Sequence, residues 1–219
     1  MFVHVRNVRL FYKKTGAGPA VLLLHGNGED HSIFNTLVLE LAKTHTVYAL
    51  DNRCHGQSSS ATPLSYDAMA QDVEAFIAAL GLKKPALCGF SDGGIVGLLA
   101  ASHSPQLFSR LIICGANTNP RGLKPSLLLY YRLVYAINRS PHIGMMLTQP
   151  NISPAALGKI TIPVLVLAGS RDVIRREHTC QLANTLPNSQ LMVLPKETHS
   201  SYVVNSPKLY PLVISFLQE

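Results

Sequence analysis

From residue 20 onward, short apolar runs bounded by turn-forming residues recur along the chain: PAVLLLHG, HTVYALD, PALCGF, RLIICGA, IPVLVLAG and SQLMVLP. Continuous apolar runs of this length suit parallel strands buried on both faces. Ahead of them FVHVRN and VRLFYKKTG alternate apolar with polar, which predicts an opening antiparallel hairpin. Between the runs the period changes to that of a helix. Ser65 is placed to cap a helix whose buried stripe is Met69, Val73, Phe76, Ile77 and Leu80, closed by Gly81. Ser206 and Pro207 open the last helix, with Leu209, Leu212, Val213, Phe216 and Leu217 facing inward, and Pro211 disturbs its first turn. Strands alternating with helices predict an α/β sheet covered on both faces.

One stretch interrupts the alternation. Between the run ending near Ala116 and the one beginning near Pro163, the sequence predicts two or three helices with proline-rich joints, a small insertion on one edge of the sheet. Residues 118–160 form that insertion, and residues 1–117 and 161–219 form the core that carries it. At 219 residues the chain is long enough for one large domain with a full core, and two full domains would be a squeeze.

Composition narrows the classes. The N-terminus, MFVHVRNVRLFYKKTG, lacks the apolar core of roughly 7–15 residues that a secretory signal needs, so a cytoplasmic protein is expected. AVLLL and LLLYYRLVY fall well short of the roughly 20 residues that span a bilayer, so no membrane span is expected. Cys54, Cys88, Cys114 and Cys180 show no C-x-x-C spacing and read as reduced thiols, mostly buried. The formal net charge is +7 and unevenly placed: from Gly93 to Arg171 there is no Asp or Glu, while Arg110, Arg121, Lys124, Arg132, Arg139, Lys159 and Arg171 lie there. That stretch is either a solvated basic face or one that steers anionic substrates or touches an anionic surface. No basic tract interleaved with aromatics and no recognition motif points to nucleic acid.

The candidate chemistry sits in Gly89-Phe90-Ser91-Asp92-Gly93, at the junction of an apolar run and a helical pattern. A serine hydroxyl is a poor nucleophile unless a base takes its proton and an oxyanion is stabilised. A sharp strand-to-helix turn meets both needs: glycines two residues on either side allow close packing, and the N–H of Asp92 lies at the helix start, aimed at developing negative charge. The Asp92 carboxylate is read as a helix-start or hydrogen-bonding device, with recognition of a substrate amine as the alternative.

With these residues the chain resembles the α/β-hydrolase superfamily over nearly its whole length. LLLHGNGED looks like that family's His-Gly oxyanion loop, and LDNRCHGQSS is similar to its Asp-x-Arg-Gly-His-Gly-x-Ser segment, with Cys54 in place of the first glycine. The resemblance implies a mostly parallel eight-stranded sheet with helices on both faces and a small helical cap. It also implies a triad in the order Ser91, Asp172, His199, each just past a strand, and an oxyanion hole from the N–H groups of Asn27 and Asp92. His199 would carry the proton and Asp172 would fix the ring's tautomer. On the residues alone, Asp172 is also placed to cap the following helix. His25 and His55 read as structural members of their turns.

The implied activity is a serine hydrolase acting on small to medium carboxylic esters through an acyl-enzyme, with no metal and no cofactor. Thioesters, lactones, amides and activated C–C bonds are alternatives on the same triad, and a non-catalytic ligand-binding protein is the alternative of another class. Dehalogenation is disfavoured, because a serine and not an acid occupies the nucleophile position and the chain has no Trp. Gly26, Phe90, Tyr131, Met145 and Met146 are expected to contact substrate in a shallow, open site. The apolar SLLLYYRLVYAI is expected to face the core on one side and the pocket or a partner subunit, such as a second copy, on the other.

Overall fold

The computed structural model describes residues 1–218. Eight strands form one sheet: β1 (Phe2–Val5), β2 (Val8–Thr15), β3 (Ala20–Leu24), β4 (Thr46–Leu50), β5 (Ala86–Phe90), β6 (Leu111–Cys114), β7 (Val164–Gly169) and β8 (Ser189–Leu194). Their spatial order is β1-β2-β4-β3-β5-β6-β7-β8. The opening hairpin is antiparallel, β2 joins β4 antiparallel, and every later pairing is parallel. The helices are α1 (Asn35–Leu41), α2 (Tyr66–Ala79), α3 (Asp92–His103), α4 (Pro125–Asn138), α5 (Pro141–Thr148), α6 (Pro154–Leu157), α7 (Arg176–Thr185) and α8 (Leu209–Gln218).

The two-residue period of a strand sorts the apolar runs onto two faces. Leu22, Leu24, Leu87, Leu111, Ile113, Val164 and Val166 join one core with Met69, Val73 and Phe76 of α2 and Val96 and Ala100 of α3. Val21, Leu23, Val47, Cys88, Ile112, Cys114, Leu165 and Leu167 join the other with Leu37 and Leu41 of α1 and Val213 and Phe216 of α8. This is why β3, β5, β6 and β7 read as continuous apolar runs. SQLMVLP is the exception: β8 is an edge strand, and Leu191 and Met192 are exposed, so it is not covered on both faces as the run suggested.

Ser65 caps α2, its hydroxyl accepting from the Ala68 N–H at 3.1 Å. The last helix begins at Leu209 and not at Ser206, which puts Pro211 in the first turn, where no intrahelical N–H is required of it. All four cysteines are free thiols; Cys88 and Cys114 are buried, Cys54 and Cys180 half-buried.

Between β6 and β7 lie a 3₁₀ turn, Pro120–Gly122, and then α4, α5 and α6. This segment does not hang from one edge of the sheet. The Lys124 N–H bonds the Val173 carbonyl at 2.9 Å and the Arg175 N–H bonds Gly122 at 2.8 Å, fastening it to the loop after β7. His142 Nε2 meets the Cys54 carbonyl at 3.2 Å in the loop after β4, and the Gln149 side chain accepts from the Tyr66 N–H at 3.3 Å. Since β4 and β7 are four places apart in the sheet, the segment lies across the C-terminal ends of the strands between them.

Those ends are fastened from below by buried polar groups. Arg53, fully buried, grips Asp72 of α2 with Nε and Nη2 at 2.5 and 2.6 Å and donates to the Pro63 carbonyl at 2.9 Å. Asp51 accepts from the N–H of His31 and of Gln57, both at 2.8 Å. Such bonds hold the loop after β4 against α2 and the loop after β3, the two walls of the site described next.

Candidate active site

Ser91 stands between β5 and α3 with φ 51° and ψ −112°, a left-handed backbone that a serine adopts only under constraint. The neighbouring glycines impose it. A Cβ on Gly93 would run into the carbonyl of Leu24 in β3, and one on Gly89 into the backbone of Gly93 and Gly94. The chain must therefore turn within a few residues, and the Ser91 side chain is left at the tip. Its N–H bonds the Cys114 carbonyl at 2.8 Å, and its own carbonyl accepts from Gly94 and Ile95, which start α3.

His199 and Asp172 come to the same point from the loops after β8 and β7. His199 Nε2 lies 3.1 Å from Ser91 Oγ, and His199 Nδ1 lies 2.7 Å from Asp172 Oδ1. The network assigns Nδ1–H to the carboxylate and leaves Nε2 to accept from the hydroxyl. Asp172 is nearly inaccessible, and burial alone would raise its pKa. The hydrogen bond and charge of His199 and the N–H groups of Ile174 (2.9 Å) and Gly169 (3.4 Å) outweigh it, and the carboxyl is held below its ordinary value. Asp172 is not the cap of α7, whose flanking residue is Arg175. The Phe90 ring lies 4.9 Å from the His199 ring. Behind the imidazole is Gly115, at φ +64°, where a Cβ would come within 2.7 Å of His199 Cε1.

Asn27 and Asp92 both line the cavity at Ser91, and among the described residues neither N–H is bonded to a backbone acceptor. Their side chains bond each other: Asn27 Nδ2 donates to Asp92 Oδ2 at 2.9 Å, and the Tyr66 hydroxyl donates to Asp92 Oδ1 at 2.8 Å. Burial pushes the Asp92 carboxyl pKa up, and these two donors act against it. Both oxygens are thus engaged inside the protein.

A cavity of about 290 Å³ opens over Ser91. Gly26, Asn27, Phe90, Asp92, Tyr131, Met146 and His199, all singled out in the sequence, line it. Met145 does not: it is 3% exposed and packed in the core, because neighbouring residues on a helix point about 100° apart and only Met146 can face the cavity. The sequence reaches Leu127 only as part of the apolar stretch expected over the pocket, and it does not single out Asn117, Leu123, Val173, Ile174, Ser200 or Glu29. Only Glu29 carried a signal, an acid closing the tight turn HGNGED. Its Oε2 accepts the Gly26 N–H at 3.0 Å, and burial raises its pKa, partly offset by that bond and by His199.

His25 supports the loop that carries Asn27. Fully buried, it accepts the Asn52 N–H on Nε2 at 3.0 Å, which leaves Nδ1–H to donate to the Gly26 carbonyl at 2.8 Å. Asp30, His31 and Asp51 bring ligand-type atoms within 4.8 Å of one another. Asp51 is engaged by His31 and Gln57, and Asp30 accepts from the Ser32 N–H at 2.8 Å, so these groups already fasten loops.

A family model described as the alpha/beta hydrolase fold matches residues 19–146, and the chain belongs to that family. Human serine hydrolase BPHL is 29% identical over 252 residues, covering 99% of this chain and 85% of that protein. Ethanol acetyltransferase 2 of Hanseniaspora uvarum is 34% identical over 113 residues, which is 50% of this chain but only 32% of that protein's length. Among solved structures, an esterase from Exiguobacterium antarcticum superposes with a TM-score of 0.87 at 20% identity, over 100% of this chain and 99% of that one. An enol-lactonase from Burkholderia xenovorans LB400 gives 0.83 at 20%, with 100% of both chains covered. At that identity the likeness is one of fold.

The His25 network has a pH signature. Burial is the main reason its pKa falls from 6.5 to about 4, against the raising effect of the Gly26 carbonyl. The unfolded chain takes up this proton below pH 6.5 and the folded one only near 4, so the stabilisation is complete above 6.5 and is lost as pH falls to about 4. The difference corresponds to about 3 kcal/mol. Urea unfolding at neutral and acid pH should show a loss smaller by about that amount in His25→Gln, which keeps one donor and one acceptor. An equal loss in both proteins would refute the assignment.

Proposed function

We propose that the protein is a serine hydrolase that cleaves small to medium carboxylic esters through an acyl-enzyme. The observation that carries this reading is the continuous hydrogen-bonded line from Ser91 Oγ through His199 to the buried Asp172 carboxylate at the base of the cavity. In the proposed reaction Ser91 Oγ attacks the ester carbonyl as His199 Nε2 takes its proton, and Asp172 stabilises the imidazolium. The oxyanion is received by the N–H groups of Asn27 and Asp92. Its collapse breaks the C–O bond and His199 returns the proton to the leaving alcohol. A water, deprotonated by the same imidazole, then attacks the acyl carbon; the acyl C–Oγ bond breaks, His199 returns the proton to Ser91 Oγ and the carboxylic acid leaves. Residues 118–160 serve as the cap, with Leu127, Tyr131 and Met146 supplying the apolar wall for the acyl or alcohol chain.

The Asp92 carboxylate is a positioning residue in this scheme. With one oxygen on Tyr66 and the other on Asn27, it ties the loop after β3 to the start of α3, so that two N–H groups from separate segments face one point. Fixed donors cost no reorganisation when the charge develops.

Hydrolysis of p-nitrophenyl acetate and butyrate is expected in the unmodified protein, and Ser91→Ala should lower kcat by about 10³-fold or more with the fold unchanged by circular dichroism. Turnover in Ser91→Ala within tenfold of the unmodified protein would remove Ser91 from the mechanism.

Asp92→Asn places an amide against the Asn27 amide. It should lower kcat/KM by about 10²-fold while KM stays within about threefold. An unchanged kcat with a lowered melting temperature would make the residue purely structural.

A further inference from the structure

The helix α4 is apolar on two separate faces. Leu127 and Tyr131, one turn apart, line the cavity. Roughly 140° around the axis, Leu129, Leu133 and Ile137 are 58%, 60% and 87% exposed, Tyr130 beside them is 58% exposed, and no residue of the helix is fully buried. Apolar side chains at i, i+4 and i+8 are thus left largely open to solvent, since α4 packs chiefly on α5 and the 3₁₀ turn before it. Exposed basic residues surround this strip, Arg121 and Lys124 at its start, Arg132 on its flank and Arg139 at its end. No acid occurs anywhere from Gly93 to Arg171.

We propose that this outer face of α4 docks the protein on an anionic lipid surface, with Leu129, Leu133 and Ile137 entering the interface and the basic residues meeting the headgroups. A leucine- and tyrosine-bearing strip rimmed by Lys and Arg is the composition of a helix that lies in the interfacial plane. No helix among the described residues is long and apolar enough to cross a membrane, so the contact is peripheral. Charge decides against a second copy of this chain as the occupant. Two α4 faces brought together would oppose Arg132 to its own counterpart in a segment that holds no carboxylate to neutralise it. Docking in this way leaves Leu127 and Tyr131, on a separate face of the same helix, lining the cavity.

The test is flotation of the full chain with vesicles of phosphatidylcholine, alone or with about 30% phosphatidylglycerol. Binding is read without turnover, so its outcome is separate from that of the esterase reading. Partition onto the anionic vesicles is expected to exceed that onto the neutral ones by about tenfold and to fall as salt is raised to about 0.5 M. Two variants separate the contributions: Leu129→Ser/Leu133→Ser/Ile137→Ser should lower binding about tenfold, and Arg132→Gln by a few-fold, both with p-nitrophenyl acetate turnover within about twofold of the parent. Equal partition onto both vesicles, or undiminished binding by the triple variant, would overturn the proposal. So would a dimer in sedimentation that the triple variant dissolves, which would give the face to a second copy.

Discussion

The contact on which the site depends is the close approach of the start of α3 to β3 and β5. Gly93 lies against the Leu24 carbonyl and Gly89 against Gly93 and Gly94, with no room for a side chain at either glycine. Given that approach, Ser91 has no ordinary backbone conformation available, and its left-handed φ of 51° follows. A non-glycine residue held at positive φ in a sparsely populated region costs on the order of 1–3 kcal/mol and persists only where the surrounding structure determines it. Here two apolar cores hold the three elements: Leu24 and Val96 in one, Cys88 and Phe90 in the other. Packing far from the cavity thus fixes a backbone angle at its centre.

A second layer of constraint is polar. The loop after β3 carries two groups that face the site, Asn27 and Glu29, and it has no regular structure of its own to hold it. It is held instead by the neutral His25 ring between Asn52 and Gly26, by Glu29 on the Gly26 N–H and by Asp92 on the Asn27 side chain. Each acceptor or donor is buried or half-buried, so losing its partner would leave a polar group unmatched in a dry environment. The one buried side-chain atom without a partner among the described residues is His55 Nε2. Its ring stands 5.1 Å from that of His25 and 4.6 Å from that of His142 on α5, joining the loop after β4 to the segment above the cavity.

Much of this was legible in the sequence, for a physical reason. Strands covered on both faces must be continuous apolar runs, and a serine turn with glycines two residues away on each side has few other uses, so β3 to β7 and the turn at Ser91 could be read directly, while Asp172 and His199 came only through the resemblance to the hydrolase family. What could not be read depended on neighbours distant in sequence. SQLMVLP is as apolar as the central runs, and nothing within it reveals an edge position. Met145 and Met146 are indistinguishable until the rotation of α5 is known. The Asp92 carboxylate had two readings until Tyr66, 26 residues away, was seen to occupy one of its oxygens. Cys54, where the family has glycine, still adopts a φ of 63°, so the turn keeps its shape with a side chain that fits it poorly.

The central claim is that the packing of three elements presents Ser91 Oγ to His199 as a nucleophile. It is tested most directly by treating the protein with a fluorophosphonate and locating the adduct by peptide mass spectrometry. The account predicts a single phosphonylated residue, Ser91, with labelling abolished in His199→Ala although the serine is still present. Labelling at another residue, or labelling of Ser91 that is unaffected by loss of His199, would contradict it.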